Sequence, residues 1–195
     1  MVLLRKSIPQ NHNLKTAAEL GVRFIMNQID RIRRACILCC HCVRNMAYRR
    51  AGEEFRITWQ QEDFWKNISG NFIDIAILEW CKLFADPKGK HYWSKVVPHS
   101  EIFLEHLYEE IGVTEEEFSA HINKMKHYRD KFLGHLDEEM VMHIPIMEIS
   151  INSTIFLFGV LKKAFSEHLN DAPENLKEFY NSRFLYAKSQ YPKAT

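Results

Sequence analysis

TEEEFSAHINKMKHYRDKFLGHLD, residues 114–137, carries both the helical logic of the chain and its most reactive side chains. Thr114 and Glu117 form a capping box, and Glu115 and Glu116 add negative charge at the positive end of the helix dipole. Phe118, Ile122, Met125, Arg129, Phe132 and Leu136 then follow at four-three spacing, the period of an amphipathic helix facing a core. Arg129 thus falls on the interior stripe. A guanidinium there must meet a carboxylate, a ligand or another subunit. On a regular helix His135 would point roughly 120° away from Arg129. Gly134, a poor helix former, lets the helix loosen just before the histidine. The other route is for the pairs of two chains to meet at a twofold axis. Either arrangement suits attack on a phosphodiester, with the arginine fork on the phosphoryl charge and the imidazole moving protons.

Outward from this stretch, the same periodicity recurs. Residues 62–84 are apolar on most of their circumference, which makes this helix central. Glu79 sits within that surround, where an unpaired charge costs several kcal/mol. Its partner is either Arg129, which would make it the orienting residue of the arginine, or Lys82 on an exposed strip. Ala85 to Lys90 is a Pro- and Gly-containing loop, and Ser100 to Ile111 is a short helix closed by Gly112. Ile25, Ile29, Ile32, Cys36, Cys39, Val43 and Met46 form a heptad-like seam on a long first helix over about 14–47, ended near Ala51-Gly52. Ile151, Ile155, Phe158, Leu161, Phe165 and Leu169 give a helix over about 147–169, and a last one spans about 173–188. No strand-period alternation of useful length occurs. The fold class is all-α, with about five to six helices.

With 195 residues and 46% apolar content, the chain holds one sizeable core and reads as a single domain over 1–195. No stretch is apolar enough for a membrane span or a secretion signal, so no membrane is expected. Four of the five cysteines lie between Cys36 and Cys42. Cys36 and Cys39 fall on the helical seam as small apolar fillers, and one helical turn does not present four donors as a tetrahedron. Reduced thiols in a cytoplasmic protein, without a metal or cofactor, are the expectation. The net charge of +1 hides an asymmetry: residues 1–60 carry 11 Lys and Arg against 4 acids, and the remainder carries 15 against 21. Arg33, Arg34 and Arg44 on the first helix, with Lys131, are the candidate phosphate contacts.

An arginine followed by a polar residue, then four to six positions to a histidine, is the signature of the HEPN superfamily (higher eukaryotes and prokaryotes nucleotide-binding domains). Arg129-Asp130-Lys131 through Gly134-His135-Leu136-Asp137 resembles its abortive-infection U-like branch, as do Ala76 to Phe84 and His91-Tyr92-Trp93 in order and spacing. The resemblance covers roughly residues 60 to 165. It implies an antiparallel helical bundle that forms a homodimer, with two Arg-His pairs in the cleft between subunits. It also implies a metal-independent endoribonuclease of toxin or phage-defence type, leaving 2′,3′-cyclic phosphate ends. Arg129 would hold the phosphate, His135 would act as base or acid, and Asp130 would orient the site, with Asp137 a second supporting carboxylate. RNA and an antitoxin or other regulatory protein would be the partners. The other function open to such a module is non-catalytic binding of a nucleotide, RNA or protein through the same cleft.

Overall fold

The computed structural model describes residues 12–54, 63–134 and 143–191, and among these every regular element is helical. The elements are α1 (His12–Glu54), α2 (Asp63–Phe84), a 3₁₀ turn (Trp93–Lys95), α3 (Ser100–Ile111) and α4 (Glu115–Tyr128). A π-helical turn (Arg129–Gly134), α5 (Glu148–Ala164), a second 3₁₀ turn (Ser166–His168) and α6 (Leu176–Gln190) complete the order. The all-α reading holds.

Side-chain contacts give the directions of packing. Cys42 meets Ala76 and Arg49 meets Ser69, so α2 runs antiparallel to α1. Asp74 meets Tyr128 and Trp80 meets His121, so α4 runs antiparallel to α2. Along α6 the order is reversed: Tyr48 meets Tyr186 and Glu54 meets Lys188, so α6 runs parallel to the second half of α1. The result is a bundle around α2, whose Trp80, Leu83 and Phe84 are fully buried with Phe118, Tyr128 and Phe158.

Local chemistry sets most boundaries where the sequence puts them. Thr114 Oγ1 accepts from the Glu117 N–H at 3.2 Å, and Glu117 Oε2 accepts from the Thr114 N–H at 2.8 Å. Gly112 closes α3 at φ 68°, a left-handed conformation that suits glycine. Asn175 Oδ1 caps α6 by accepting from Lys177 and Glu178.

Three expectations change. The first helix does not end near Ala51-Gly52 but runs to Glu54, because Ala51 is buried and Gly52 gives room to Tyr191, whose hydroxyl would lie 2.9 Å from an added Cβ. Its seam enters the core only at Ile32. Ile25 is 58% exposed, since a 43-residue helix is about 65 Å long and outruns its neighbours. Finally, α5 ends at Ala164, and its first half buries Ser150, Ser153 and Thr154 in place of Ile151 and Ile155, which are half-buried.

Those hydroxyls have partners, as buried polar groups require. Trp80 Nε1 donates to Ser153 Oγ at 3.0 Å, and Ser153 and Thr154 donate back to the Ser150 carbonyl. Ser150 Oγ lies 2.6 Å from His121 Nε2, which the surrounding core keeps 5% exposed. Burial lowers the His121 pKa from 6.5 to about 4, with Lys124 adding to the effect. The unfolded chain therefore binds this proton at a higher pH than the fold does. The stability tied to neutral His121 is complete above pH 6.5 and falls as the pH drops toward 4. Chemical denaturation should show a loss of about 2 kcal/mol between pH 6.5 and 5 that a His121→Gln variant lacks; equal losses in both proteins would exclude the assignment.

Candidate functional site

Tyr128 ends α4 with its ring buried and its hydroxyl donating to Asp74 Oδ1 at 2.8 Å, which pins the helix to α2. Immediately beyond, the helix widens into the π turn Arg129–Gly134. The sequence places the loosening in this stretch, and the pin explains where it starts. With Tyr128 fixed, a wider turn keeps Phe132 packed on the Tyr128 ring, 5.5 Å between centroids, and leaves Phe132 and Leu133 against the core. Such π segments are rare and occur often at functional positions.

Arg129 opens that turn. Its side chain is 27% exposed, so it lies at the rim of the core and not within it. Nε donates to Asp130 Oδ1 at 2.7 Å, and this bond is the main reason the guanidinium pKa is raised. Among the described residues Nη1 and Nη2 carry no further bond, which leaves the forked edge of the guanidinium for an anion. The buried Cys81 thiol is within electrostatic reach of Arg129, which draws its pKa down, while burial pushes it up to about 12. That thiol is protonated at neutral pH and is no nucleophile.

The Glu79 alternatives are resolved by geometry. Its side chain is 14% exposed, so the expected burial is present, but its partner is Lys82 at 3.1 Å. The proposed pairing with Arg129 does not form; Asp130 takes that place. Lys131 is half-buried in the same turn. His135 and Asp137 lie outside the described residues.

The candidate phosphate-contacting arginines of α1, Arg33, Arg34 and Arg44, divide between two faces. Arg33 and Arg44 line a groove of about 700 Å³ against the α5–α6 connection. Arg34 instead joins Arg31, Lys82 and Lys90 around His91, whose pKa is lowered by burial first and then by these four cations. The cysteine cluster is as expected for core fillers: Cys36 and Cys39 are buried, Cys40 is half-buried, and all are free thiols. Cys42, off the predicted seam, is buried too, its thiol 3.5 Å from the Ala76 carbonyl. Burial pushes the Cys36 thiol up to about 12 and Cys40 to about 11. Sequence reasoning missed His121 and the hydroxyl row of α5, because single Ser, Thr and His residues carry no periodic signal of burial.

No helix among the described residues is long and apolar enough to cross a membrane. Comparison with protein-family models, with curated proteins and with solved structures finds no match to this chain.

Proposed function

We propose that this chain is a metal-independent endoribonuclease of toxin or phage-defence type and a member of the HEPN superfamily, cutting RNA at an Arg129-His135 site between two subunits. The observation that carries the reading is Arg129 itself. Its guanidinium sits at the edge of the core in a π turn, is steadied on one side by Asp130, and offers its other side outward, six positions before His135. In the reaction, His135 takes the proton of a ribose 2′-hydroxyl as the 2′-oxygen bonds to phosphorus. The bond from phosphorus to the 5′-oxygen breaks, and that oxygen takes up a proton. Arg129 holds the non-bridging oxygens as their charge grows. The products are a 2′,3′-cyclic phosphate and a free 5′-hydroxyl.

A twofold partner has a suitable place to dock. Ile75 and Leu78 on α2 are 40% and 37% exposed, and Leu78 lies on the helix between Asp74, which holds Tyr128, and Cys81, which is within electrostatic reach of Arg129. A second copy seated there stands next to both Arg129 residues. Leu78→Asp places a charge on this face without touching the core. We expect that variant to sediment as a monomer, to keep the helical circular dichroism of the parent, and to cut RNA at least about tenfold more slowly, the rate following loss of the partner. A Leu78→Asp protein with the parent's mass and rate would exclude a site shared across this face.

A further inference from the structure

The groove along α1 has features that the cutting site does not use. Its near wall is a single helical face on which Arg33, Ile37, His41 and Arg44 follow at intervals of four, four and three. Its far wall is the chain from Glu167 to Pro173, and Phe179 of α6 closes one side. Arg33 is fixed in direction because its Nε donates to the His168 carbonyl at 3.1 Å. Arg44 is half-buried and, among the described residues, makes no hydrogen bond or ion pair. Ile37 is 52% exposed in the middle of this face, an apolar floor between two cations.

The arginines are about 16 Å apart along the helix at 1.5 Å per residue. That separation is too long for one phosphate group and reaches two non-adjacent phosphates of an extended strand. Between them, Ile37 and the half-buried Phe179 ring, one face of which carries the Arg183 guanidinium at 5.1 Å, offer apolar surface against which a base packs. Glu167 and Asp171 are exposed on the opposite lip. They repel a polyanion from that side, which holds its phosphates to the α1 wall, and they accept hydrogen bonds from the amino groups of bases. A cationic wall, an apolar floor and an acceptor-bearing lip match a single strand better than a simple polyanion. From the groove, Arg34 and Arg31 continue around α1 to Lys82 in the last turn of α2 and to Lys90 and His91 in the loop beyond it, which also holds the Asp86 that acts on Arg129.

We infer that this groove binds a segment of single-stranded RNA outside the cutting site, with its phosphates on Arg33 and Arg44 and a base against Ile37 and Phe179. The inference rests on the reading of the chain as a protein that acts on RNA, and on no cleavage step. The test is fluorescence anisotropy of a short, fluorescein-labelled, mixed-sequence single-stranded RNA in EDTA. The full-length His135→Ala protein serves as the parent, so that the probe stays intact. Arg33→Gln with Arg44→Gln should weaken binding at least tenfold and make the dependence of log K on log salt shallower by about 1.4, or 0.7 for each lost phosphate contact. Ile37→Asp, at an exposed position, should weaken binding as much. Phe179→Ala should weaken it several-fold and leave the salt slope unchanged. Arg44→Gln alone separates binding from folding, because among the described residues Arg44 has no hydrogen bond or ion pair to lose.

Unchanged affinity in Arg44→Gln and Ile37→Asp, or no binding by the parent, would overturn the groove assignment without touching the cleavage reading. Binding that depends on the groove in a protein whose wild type never cuts RNA would leave the groove assignment standing and remove the nuclease.

Discussion

If the proposed function holds, Arg129→Ala is expected to lower the rate of RNA cleavage by about 10²- to 10³-fold, the cost of removing one preorganised donor to a developing oxyanion, or about 3 to 4 kcal/mol of transition-state stabilisation. The fold should survive the change. The side chain is 27% exposed, and among the described residues its bond is to the exposed Asp130, an ion pair of a kind that contributes little to stability. Far-ultraviolet circular dichroism and the thermal midpoint are therefore expected to stay close to those of the parent. Arg129→Lys keeps the charge and loses the fork, so it should recover only part of the rate. The comparison is informative because a purely structural arginine at the rim of the core would behave otherwise, with stability and rate falling together. A full rate in Arg129→Ala would exclude Arg129 from the site.

The second large effect is on stability. Trp80 is fully buried, stacked on Phe84 at 5.2 Å and edge-on to His121 at 5.0 Å, with its indole N–H on Ser153. Trp80→Ala removes the largest fully buried side chain and should cost about 3 to 5 kcal/mol, a large part of the stability of an ordinary domain. Trp80→Phe refills most of the space and loses the hydrogen bond. Ser153 still donates to the Ser150 carbonyl, so the cost should fall to about 1 to 2 kcal/mol. Urea denaturation monitored by circular dichroism gives both values. A loss below about 1 kcal/mol for Trp80→Ala would mean that the centre of the bundle lies elsewhere.

What the sequence made legible follows from which forces are periodic. Phe118 and Met125 declare their burial by spacing, and Thr114, Gly112 and Pro87 mark ends through local backbone chemistry; all behave as read. The period alone could not say how far a stripe stays covered. Ile25 lies on the same seam as Ile32 but has outrun the neighbouring helices, a matter of relative helix lengths. Nor could it say which partner a charge takes. Glu79 was rightly placed in apolar surroundings, yet Lys82, one turn away on the same helix, reaches it and Arg129 does not. The same applies to Arg33, Arg34 and Arg44, alike in sequence and split between two faces by the turn of α1. At the signature, Gly134 announced a departure from the α-helix, and the Tyr128 hydroxyl on Asp74, a contact 54 residues apart in sequence, fixes where that departure begins.

The measurement that bears most directly on the proposed function is the chemistry of the RNA ends after incubation of the purified protein with mixed-sequence RNA in excess EDTA. The wild type should produce fragments ending in 2′,3′-cyclic phosphate, and His135→Ala, equally folded, should produce none. Fragments with 3′-hydroxyl ends, or equal cleavage by His135→Ala, would contradict the mechanism. Intact RNA bound tightly by both proteins would make the chain a binding module and not a nuclease.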